Sequence, residues 1–325
     1  MLTIAVIGAG RIGQIHARNI AAHPAARLAG VSDLDGGAAA RLAEACGAPA
    51  VSLEAAFGAD AVLIASPTPT HADYIERAAA AGRAVFCEKP IDLSVARVRQ
   101  CLDAVSRAGV PLMVGFNRRF DPHFASLQRR LAAGEIGRAE LVTILSRDPS
   151  PPQPSYVAAS GGLFRDMMIH DLDMARFLLD APIVEVFATA SCLVDLDIGA
   201  AGDVDTAIVS LRTAGGALCQ ISNSRRATYG YDQRIEVHGS AGLLRAGNVT
   251  ATTVEVATGD GFRTDPVLPF FLERYAAAYR AELDAFVTAV SGGTPPAPGG
   301  EDGLAALELA DAAALSLRTG QPVRL

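Results

Sequence analysis

The sequence lacks the features of several protein classes. Its 325 residues include 28 Lys and Arg against 35 Asp and Glu, a net charge of −7. Nucleic-acid surfaces and anionic membranes attract clustered cations, so neither is an expected partner. No apolar run reaches the roughly 20 residues that span a bilayer, and no charged leader precedes the first strand pattern. We therefore expect a cytoplasmic protein that acts on a small molecule.

The cysteines also exclude two kinds of stabilisation. There are 5, an odd number without CxxC spacing or paired histidine ligands, so the sequence indicates neither a disulfide framework nor a zinc site. Hydrophobic residues are abundant at 50%, which allows a large buried core. A chain of this length predicts about two domains.

A glycine-rich turn follows the first strand pattern. The β-branched run Thr3–Ile7 is typical of a strand buried in a parallel sheet, and the sequence GAGRIG occupies positions 8–13. Glycines at these spacings allow a tight turn, close approach of the backbone to a pyrophosphate, and close helix–strand packing. A helix and a second strand, Arg27–Ser32, lead to Asp33, which completes a dinucleotide-binding pattern. The predicted cofactor contacts here are Gly8, Gly10, Arg11, Ile12, Gly13 and Asp33.

Asp33 indicates which dinucleotide binds. A carboxylate at this position accepts hydrogen bonds from the adenosine ribose hydroxyls and repels a 2′-phosphate. The next residues are Leu34, Asp35 and Gly36, with no arginine to hold such a phosphate. The sequence therefore predicts NAD rather than NADP, although a simple turn residue is the alternative role for Asp33.

Alternating strand and helix patterns continue to about residue 118 and predict a doubly wound, Rossmann-type domain over residues 1–118. Two loops leave the carboxyl ends of its strands, where such sheets bind ligands. One contains Ser66, Pro67, Thr68 and His71, and for His71 both a capping role and a cofactor contact are open. The other is Glu88-Lys89-Pro90, and for Lys89 both a solvated surface position and a role in holding a substrate hydroxyl are open. We predict cofactor contacts from both loops, including Glu88 and Lys89.

The stretch Gly161–Leu179 reads as an amphipathic helix with chemistry on one face. Asp166, His170 and Asp173 are three and four residues apart. An aspartate one turn before a histidine holds the imidazole in one tautomer and raises its basicity, which suits a general base. A solvated or capping pair is the alternative. A metal site formed with Asp171 and Asp173 is not required, because a dehydrogenase can use a positioned base, so we predict no metal.

The second half of the chain contains successive strand patterns without helices between them, which predicts a mostly antiparallel open sheet. We assign residues 119–325 to one α+β domain, and its roles in substrate binding and oligomerisation are implied by the family resemblance given below. Residues 146–160 are expected to be a proline-rich loop, and Arg225 with Arg226 a surface pair or an interface contact.

These motifs resemble the Gfo/Idh/MocA family of sugar and polyol oxidoreductases. The resemblance covers nearly the whole chain and rests on the fingerprint at 8–13, Ser66-Pro67 with His71, Glu88-Lys89-Pro90, Phe116-Asn117-Arg118-Arg119 and the Asp166–His170 pair. That pair and the sequence YGYDQR at 229–234 are most similar to the family members that oxidise inositol.

The resemblance implies roles for individual residues. Lys89, Asp166 and His170 would form the catalytic group and would also contact the substrate. Asp173 and Tyr231 match substrate-contacting positions, and Asn117 and Arg118 match a segment between substrate and cofactor, with Arg118 on the cofactor side.

The expected reaction is NAD-dependent oxidation of a cyclic polyol, with myo-inositol the first choice, by a homo-oligomer, with a tetramer favoured. Dehydrogenation of another polyol or aldose, and a non-catalytic dinucleotide-binding regulator, are the alternatives.

Overall fold

The computed structural model describes the backbone of residues 1–325 and all side chains except those at positions 154 and 158. The chain forms two compact units. The first contains Met1–Phe120 and Ala278–Leu307, and the second contains Asp121–Ala277 and Glu308–Leu325. Among the described helices, none is both long and apolar enough to cross a membrane.

The first unit is built on a five-stranded parallel sheet with the strand order β2-β1-β3-β4-β5. Its strands are β1 (Leu2–Ile7), β2 (Ala26–Ser32), β3 (Ala61–Ile64), β4 (Ala84–Glu88) and β5 (Leu112–Gly115). Its helices are α1 (Arg11–Ala22), α2 (Gly36–Ala45), α3 (Leu53–Ala56), α4 (His71–Ala80) and α5 (Val95–Ala108), followed by a 3₁₀ turn at Asn117–Phe120.

The sheet of the first unit is buried on both faces, which explains its continuous apolar strands. All four residues of β3 are buried, and the core includes Ile4 and Val6 of β1 with Phe86 of β4. Phe286 joins the same core from the later part of the chain. The predicted Rossmann-type architecture is confirmed.

The second unit is built on a seven-stranded sheet with the order β11-β10-β6-β9-β8-β7-β14. Only β6 and β9 pair in parallel. Its strands are β6 (Ala139–Arg147), β7 (Ile183–Ser191), β8 (Thr206–Thr213), β9 (Leu218–Ser224), β10 (Asp232–Gly239), β11 (Gly242–Ala246) and β14 (Val323–Arg324). A separate hairpin contains β12 (Glu255–Thr258) and β13 (Gly261–Thr264). The prediction of a mostly antiparallel sheet is confirmed.

Helices complete the chain. Within the second unit they are α6 (Pro122–Ala132), α7 (Pro154–Ser160), α8 (Ile169–Leu179), α9 (Leu196–Ala200) and α10 (Phe271–Arg274). Two longer helices follow, α11 (Ala276–Gly292) and α12 (Gly300–Thr319). Helix α8 packs against β6 and β9, so it covers one face of the sheet.

Three local predictions are wrong. The expected loop 146–160 contains α7 in its second half, and this helix ends at Gly161, whose φ of +88° provides a left-handed C-cap. The strands of the second unit are interrupted by α9, whose N-terminus is capped by Asp195 through the N–H of Asp197. The expected single helix over 161–179 is divided, as described below.

Candidate active site

The glycine loop of the first unit has the shape that a dinucleotide requires. A Cβ on Gly8 would lie 2.5 Å from the carbonyl of Ala65, and a Cβ on Gly13 would lie 1.8 Å from the carbonyl oxygen of Gly8. Gly10 differs, because no atom lies within 4 Å of its Cβ position. Gly8 and Gly13 therefore allow the chain to fold tightly, and Gly10 leaves open space at the N-terminus of α1, where backbone N–H groups favour a phosphate.

Asp33 lies at the carboxyl end of β2 and closes this loop. One oxygen of its carboxylate accepts from the N–H of Ala9 at 2.6 Å, and the other accepts from the N–H of Asp35 at 2.8 Å. Each carboxylate oxygen can accept more than one hydrogen bond, so these contacts leave capacity for ribose hydroxyls. The loop and the carboxylate together fit a dinucleotide. Arg11 is exposed and Ile12 half-buried at the start of α1.

The loop after β3 is tied to the loop after β4 by His71. Its Nε2 lies 2.7 Å from the carbonyl oxygen of Ser66, and its Nδ1 lies 2.7 Å from that of Pro90. Burial lowers the pKa of His71, and the bonds to these carbonyls raise it only in part. A neutral ring carries one N–H and donates to one of the two carbonyls at a time. These contacts give His71 a clamping role, while its cofactor contact stays a prediction.

Pro67 and Thr68 lie in the same loop, at the start of a 3₁₀ turn over Thr68–Thr70. The hydroxyl of Ser66 lies 2.7 Å from that of Thr70 and fixes the turn. Pro67 is exposed and Thr68 is half-buried. All of these side chains lie at the carboxyl edge of the parallel sheet, where ligands of such folds bind.

The Lys89 turn follows β4 at the same edge. Glu88, the last residue of the strand, lies 2.7 Å from Nε2 of His16, and Lys89 is half-buried and joined to Pro90 by a cis peptide bond. Asn117 and Arg118 are both buried at 4% exposure in the 3₁₀ turn after β5. The structure thus brings the predicted residues of the first unit to the ends of adjacent strands.

In the second unit, Asp166 lies in a π turn rather than in the first part of a long helix. Gly161 and Gly162 have φ of +88° and +79°, and the N–H of Met168 donates to the carbonyl of Leu163 at 2.8 Å, five residues earlier. A side chain on Gly162 would meet Asp203, whose carboxylate accepts from the N–H of Leu163 at 2.9 Å. Helix α8 begins only at Ile169, because the glycine pair turns the chain before the helix can start.

The carboxylate of Asp166 lies between two polar side chains. The hydroxyl of Tyr156 donates to its Oδ1 at 3.0 Å, and Nη2 of Arg225 lies 3.5 Å from its Oδ2. Arg225 is only 2% exposed, whereas Arg226 is exposed. The prediction of a surface pair is therefore wrong for Arg225, because the end of β9 brings its guanidinium against the π turn.

The remaining candidates of the second unit lie in α8 and, for Tyr231, immediately before β10. His170 is half-buried in its first turn, and Asp173 is buried at 1% exposure. Asp171 accepts from Nδ2 of Asn223 in β9 at 2.9 Å, which fixes the helix on the sheet. Tyr231 is buried, and its ring packs edge-on against Phe270 and Tyr275.

Three residues that contact the candidate site residues were not predicted from the sequence, namely His16 beside Glu88 and Tyr156 and Arg225 beside Asp166. His16 lies one helical turn after Gly13, on the buried side of α1, and a polar residue on an apolar helix face was the available signal. Arg225 and Tyr156 carried no comparable signal, because their contacts depend on tertiary structure.

The fold and the glycine loop define a nucleotide-dependent oxidoreductase, and comparison with known proteins agrees. Residues 2–116 match the model of the oxidoreductase family with an NAD-binding Rossmann fold, and residues 124–245 match that of the Gfo/Idh/MocA C-terminal domain. The chain belongs to the Gfo/Idh/MocA family, and its cofactor is NAD.

Several relatives match along their whole length. Inositol 2-dehydrogenase of Rhizobium meliloti (strain 1021) is 54% identical over 315 residues, which cover 96% of each chain. The crystal structure of a myo-inositol dehydrogenase from Corynebacterium glutamicum is 48% identical, with a TM-score of 0.96 over 100% of this chain and 99% of that one. A scyllo-inositol dehydrogenase from Lactobacillus casei, solved with NAD(H) and scyllo-inositol, is 29% identical, with a TM-score of 0.92 and the same coverage.

Proposed function

We propose that the protein oxidises a ring hydroxyl of a cyclic polyol with NAD, and that its substrate is myo-inositol, oxidised at C2 to 2-keto-myo-inositol. The observation that carries this proposal is the full-length similarity, at 54% identity, to a relative named inositol 2-dehydrogenase. The functional groups on the chain support it, because the oxidation of an alcohol needs a base for the hydroxyl proton and a partner for the oxygen.

The roles of the chain's own residues follow from their chemistry. His170 takes the proton of the reacting hydroxyl, and Asp166 orients its ring and stabilises the imidazolium that forms. Tyr156 and Arg225 hold the Asp166 carboxylate in place through the contacts at 3.0 and 3.5 Å. Lys89 donates to the reacting oxygen and favours its developing negative charge. NAD, when bound, accepts the hydride.

Binding roles complete the proposal. Asn117, Asp173 and Tyr231 contact the polyol, and Arg118 lies on the cofactor side. The dinucleotide is held by the glycine loop at 8–13, by Asp33 and by the loops after β3 and β4. Of these groups, the open space at Gly10 and the carboxylate of Asp33 give the strongest structural support.

Replacement of His170 by alanine tests the mechanism. Because general base catalysis typically contributes roughly 10²–10⁴-fold, His170→Ala should reduce kcat by about that factor and leave NAD affinity nearly intact. His123→Ala is the matched control, since His123 is an exposed histidine of the same unit. Unchanged turnover in His170→Ala would remove this residue from the mechanism.

The rival substrates are scyllo-inositol, other polyols and pyranose sugars. NADH formation measured across a panel of these compounds should give the highest kcat/KM for myo-inositol. A higher value for another compound would replace myo-inositol while keeping the reaction class. The absence of turnover with every member, together with tight NAD binding, would favour the non-catalytic regulator.

We further propose a homo-oligomer, with a tetramer favoured. The sheet face opposite α8 exposes apolar side chains, between 39% and 47% accessible, on five of its seven strands, namely Leu141, Phe187, Ile208, Leu218 and Leu243. Together these side chains form an apolar surface suited to a second copy. Light scattering at micromolar concentration should give the tetramer mass, and a monomer mass would contradict the proposal.

We also propose that the enzyme acts in inositol catabolism, because NAD serves as the acceptor in oxidation, and that it does so in the cytoplasm. A strain without the gene should fail to grow on myo-inositol, and cell fractionation should recover the protein with the cytoplasm. Normal growth, or recovery with the membranes, would contradict this assignment.

A further inference from the structure

A buried polar cluster lies in the first unit, beside the Lys89 turn. It consists of His16 in α1, Glu88 at the end of β4 and Glu282 in α11. His16 and Glu282 are fully buried, and the side chain of Glu88 is 13% exposed. Buried titratable groups are costly unless they are paired, so this cluster calls for an explanation.

The contacts in the cluster are unequal. Nε2 of His16 lies 2.7 Å from Oε1 of Glu88 and 3.9 Å from Oε1 of Glu282. Nδ1 of His16 has no hydrogen-bond partner among the described side chains, so the ring proton belongs on Nε2, where Glu88 accepts it. Phe86 and Tyr279 pack edge-on against the imidazole, with ring centroids at 5.1 and 5.6 Å, and fix its plane.

Glu282 differs from Glu88 in its surroundings. Burial raises the pKa of Glu282 well above its usual range, and the negative charge of Glu88 raises it further. An ionised Glu282 would compete with Glu88 for the single N–H of His16. A neutral Glu282 leaves that N–H to Glu88.

A metal ion is the alternative for such a group, since the three residues offer ligand atoms within 4.8 Å of one another. Two ligands of one tetrahedral zinc, with bonds of roughly 2.0–2.1 Å, lie about 3.3 Å apart. The His16–Glu88 separation of 2.7 Å is shorter and has the length of a hydrogen bond.

The cluster is joined to Lys89 through the backbone. Glu88 immediately precedes Lys89 and is paired with Gly115 of β5. Gly115 leaves space for the Glu88 carboxylate, because a Cβ on Gly115 would lie 3.0 Å from that carboxylate. On the other side of Lys89, His71 contacts the carbonyl of Pro90 at 2.7 Å. Two buried imidazoles therefore hold the residues on either side of Lys89.

We propose that His16, Glu88 and Glu282 form a positioning cluster for Lys89, in which Glu88 carries the negative charge, His16 donates to it and Glu282 carries a proton. The cluster orients the backbone from which Lys89 extends and does not itself contact the substrate. This inference rests on the proposed role of Lys89 in catalysis.

Three substitutions test the cluster. His16→Phe keeps the aromatic packing but removes the N–H, and a small displacement of a catalytic group can cost up to about 10²-fold, so kcat should fall roughly 10- to 100-fold with NAD affinity unchanged. His16→Gln retains a donor and should recover most of the turnover. Glu282→Gln replaces a neutral acid by a neutral amide and should keep both turnover and melting temperature.

A double-mutant cycle with Lys89→Ala separates the positioning role of His16 from the catalytic role of Lys89. If His16 acts through Lys89, the loss caused by His16→Phe should disappear in the Lys89→Ala background. A full, additive loss would overturn the positioning role while leaving the function of Lys89 intact. Full turnover in Lys89→Ala alone would instead refute the proposed catalytic role of Lys89, and the absence of turnover in the parent enzyme would refute the proposed function.

Two further results would overturn the assignment of the cluster. A large loss of turnover in Glu282→Gln would show that Glu282 must be ionised. One equivalent of divalent metal in the purified enzyme, measured by elemental analysis and absent from Glu282→Gln, would make the cluster a metal site. If His16→Phe does not fold, the His16→Gln and Glu282→Gln variants still decide the proposal.

Discussion

Substitutions in the glycine loop should separate folding from cofactor binding. Gly13→Ala would place a methyl group 1.8 Å from the carbonyl oxygen of Gly8 and 2.9 Å from its carbonyl carbon, whereas ordinary contact begins at 3.4 Å. The clash is with backbone, so the loop must open by more than 1 Å. Overpacking of this kind costs about 1–3 kcal/mol, and we expect both stability and NAD affinity to fall.

Gly10→Ala should have the opposite profile. The backbone of Gly10 is extended, with φ −67° and ψ −171°, and no atom lies within 4 Å of the added methyl group. The variant should therefore keep the melting temperature of the parent. The methyl group would occupy the open space in front of α1, however, and we expect the Kd for NAD to rise about tenfold, which corresponds to roughly 1.4 kcal/mol.

Thermal unfolding and titration of NADH fluorescence measure the two quantities on the same samples. Gly36→Ala is the matched control, because Gly36 also has open space around its Cβ position but begins α2. It should change neither quantity. A Gly10→Ala variant that melts as early as Gly13→Ala, or one that binds NAD as tightly as the parent, would refute this account of the loop.

Three further variants have definite expectations. Burial alone would raise the pKa of Asp205, but hydrogen bonds from the N–H groups of Leu193, Asp195 and Val194 and from the hydroxyl of Thr206 lower it from 3.8 to about 2. The ionised carboxylate therefore stabilises the folded state above about pH 4, and this stabilisation is lost as the pH falls through about 2. Asp205→Asn should therefore lower the free energy of unfolding in urea by roughly 2 kcal/mol at pH 7 and by less near pH 2. The control Asp197→Asn, at an exposed position, should have little effect, and an equal loss in Asp205→Asn at both pH values would contradict the expectation. Asp33→Ala should raise the NADP/NAD ratio of kcat/KM at least about tenfold by removing a carboxylate that repels the 2′-phosphate; a parent enzyme that uses both cofactors equally would contradict it. Arg225→Met should lower kcat about tenfold, which corresponds to a barrier higher by roughly 1.4 kcal/mol. Arg225→Lys should lower kcat less, and Arg226→Met, at an exposed position, should leave it unchanged. Equal effects at positions 225 and 226 would show that the contact of Arg225 with Asp166 does not support turnover.

The first unit was predictable because its determinants are local in sequence. A buried parallel strand is a continuous apolar run, and the glycine turn follows it directly, so β1, the loop and α1 were expected in the order in which they occur. Asp33 was also expected at the end of β2, because the spacing from the fingerprint is set by one helix and one strand. Its additional bond to the N–H of Ala9 depends on how the two loops meet and has no local signal.

The π turn shows the limit of periodicity. Apolar residues after Gly162 continue at helical spacing, which is why Gly161–Leu179 read as one helix. The glycine pair was visible, but the contact that supports the turn, from the carboxylate of Asp203 to the N–H of Leu163 at 2.9 Å, comes from a residue much later in the chain. The displacement of Asp166 from α8 therefore could not be predicted, although the candidate residues themselves were.

Arg225 illustrates the same limit for charge. Adjacent arginines normally indicate solvated side chains, and Arg226 behaves in this way. Arg225 directly follows β9 and continues its alternation, in which every second side chain is buried, and its N–H is bonded to the carbonyl of Asp205 at 2.9 Å. The alternation was visible in the sequence, but the face on which Asp166 lies was not.

The contacts around Lys89 and those around Asp166 share a physical role. The ammonium of Lys89 extends from a turn held by His16 and His71, and the carboxylate of Asp166 is held by Tyr156 and Arg225. A charged group on a flexible side chain loses conformational entropy whenever it must act in one position. Neighbours that hold such a group in position incur that cost during folding, before any substrate binds. Conservative replacement of the supporting residues should therefore affect kcat more than KM, because the substrate would still bind while the proposed catalytic groups were less well oriented.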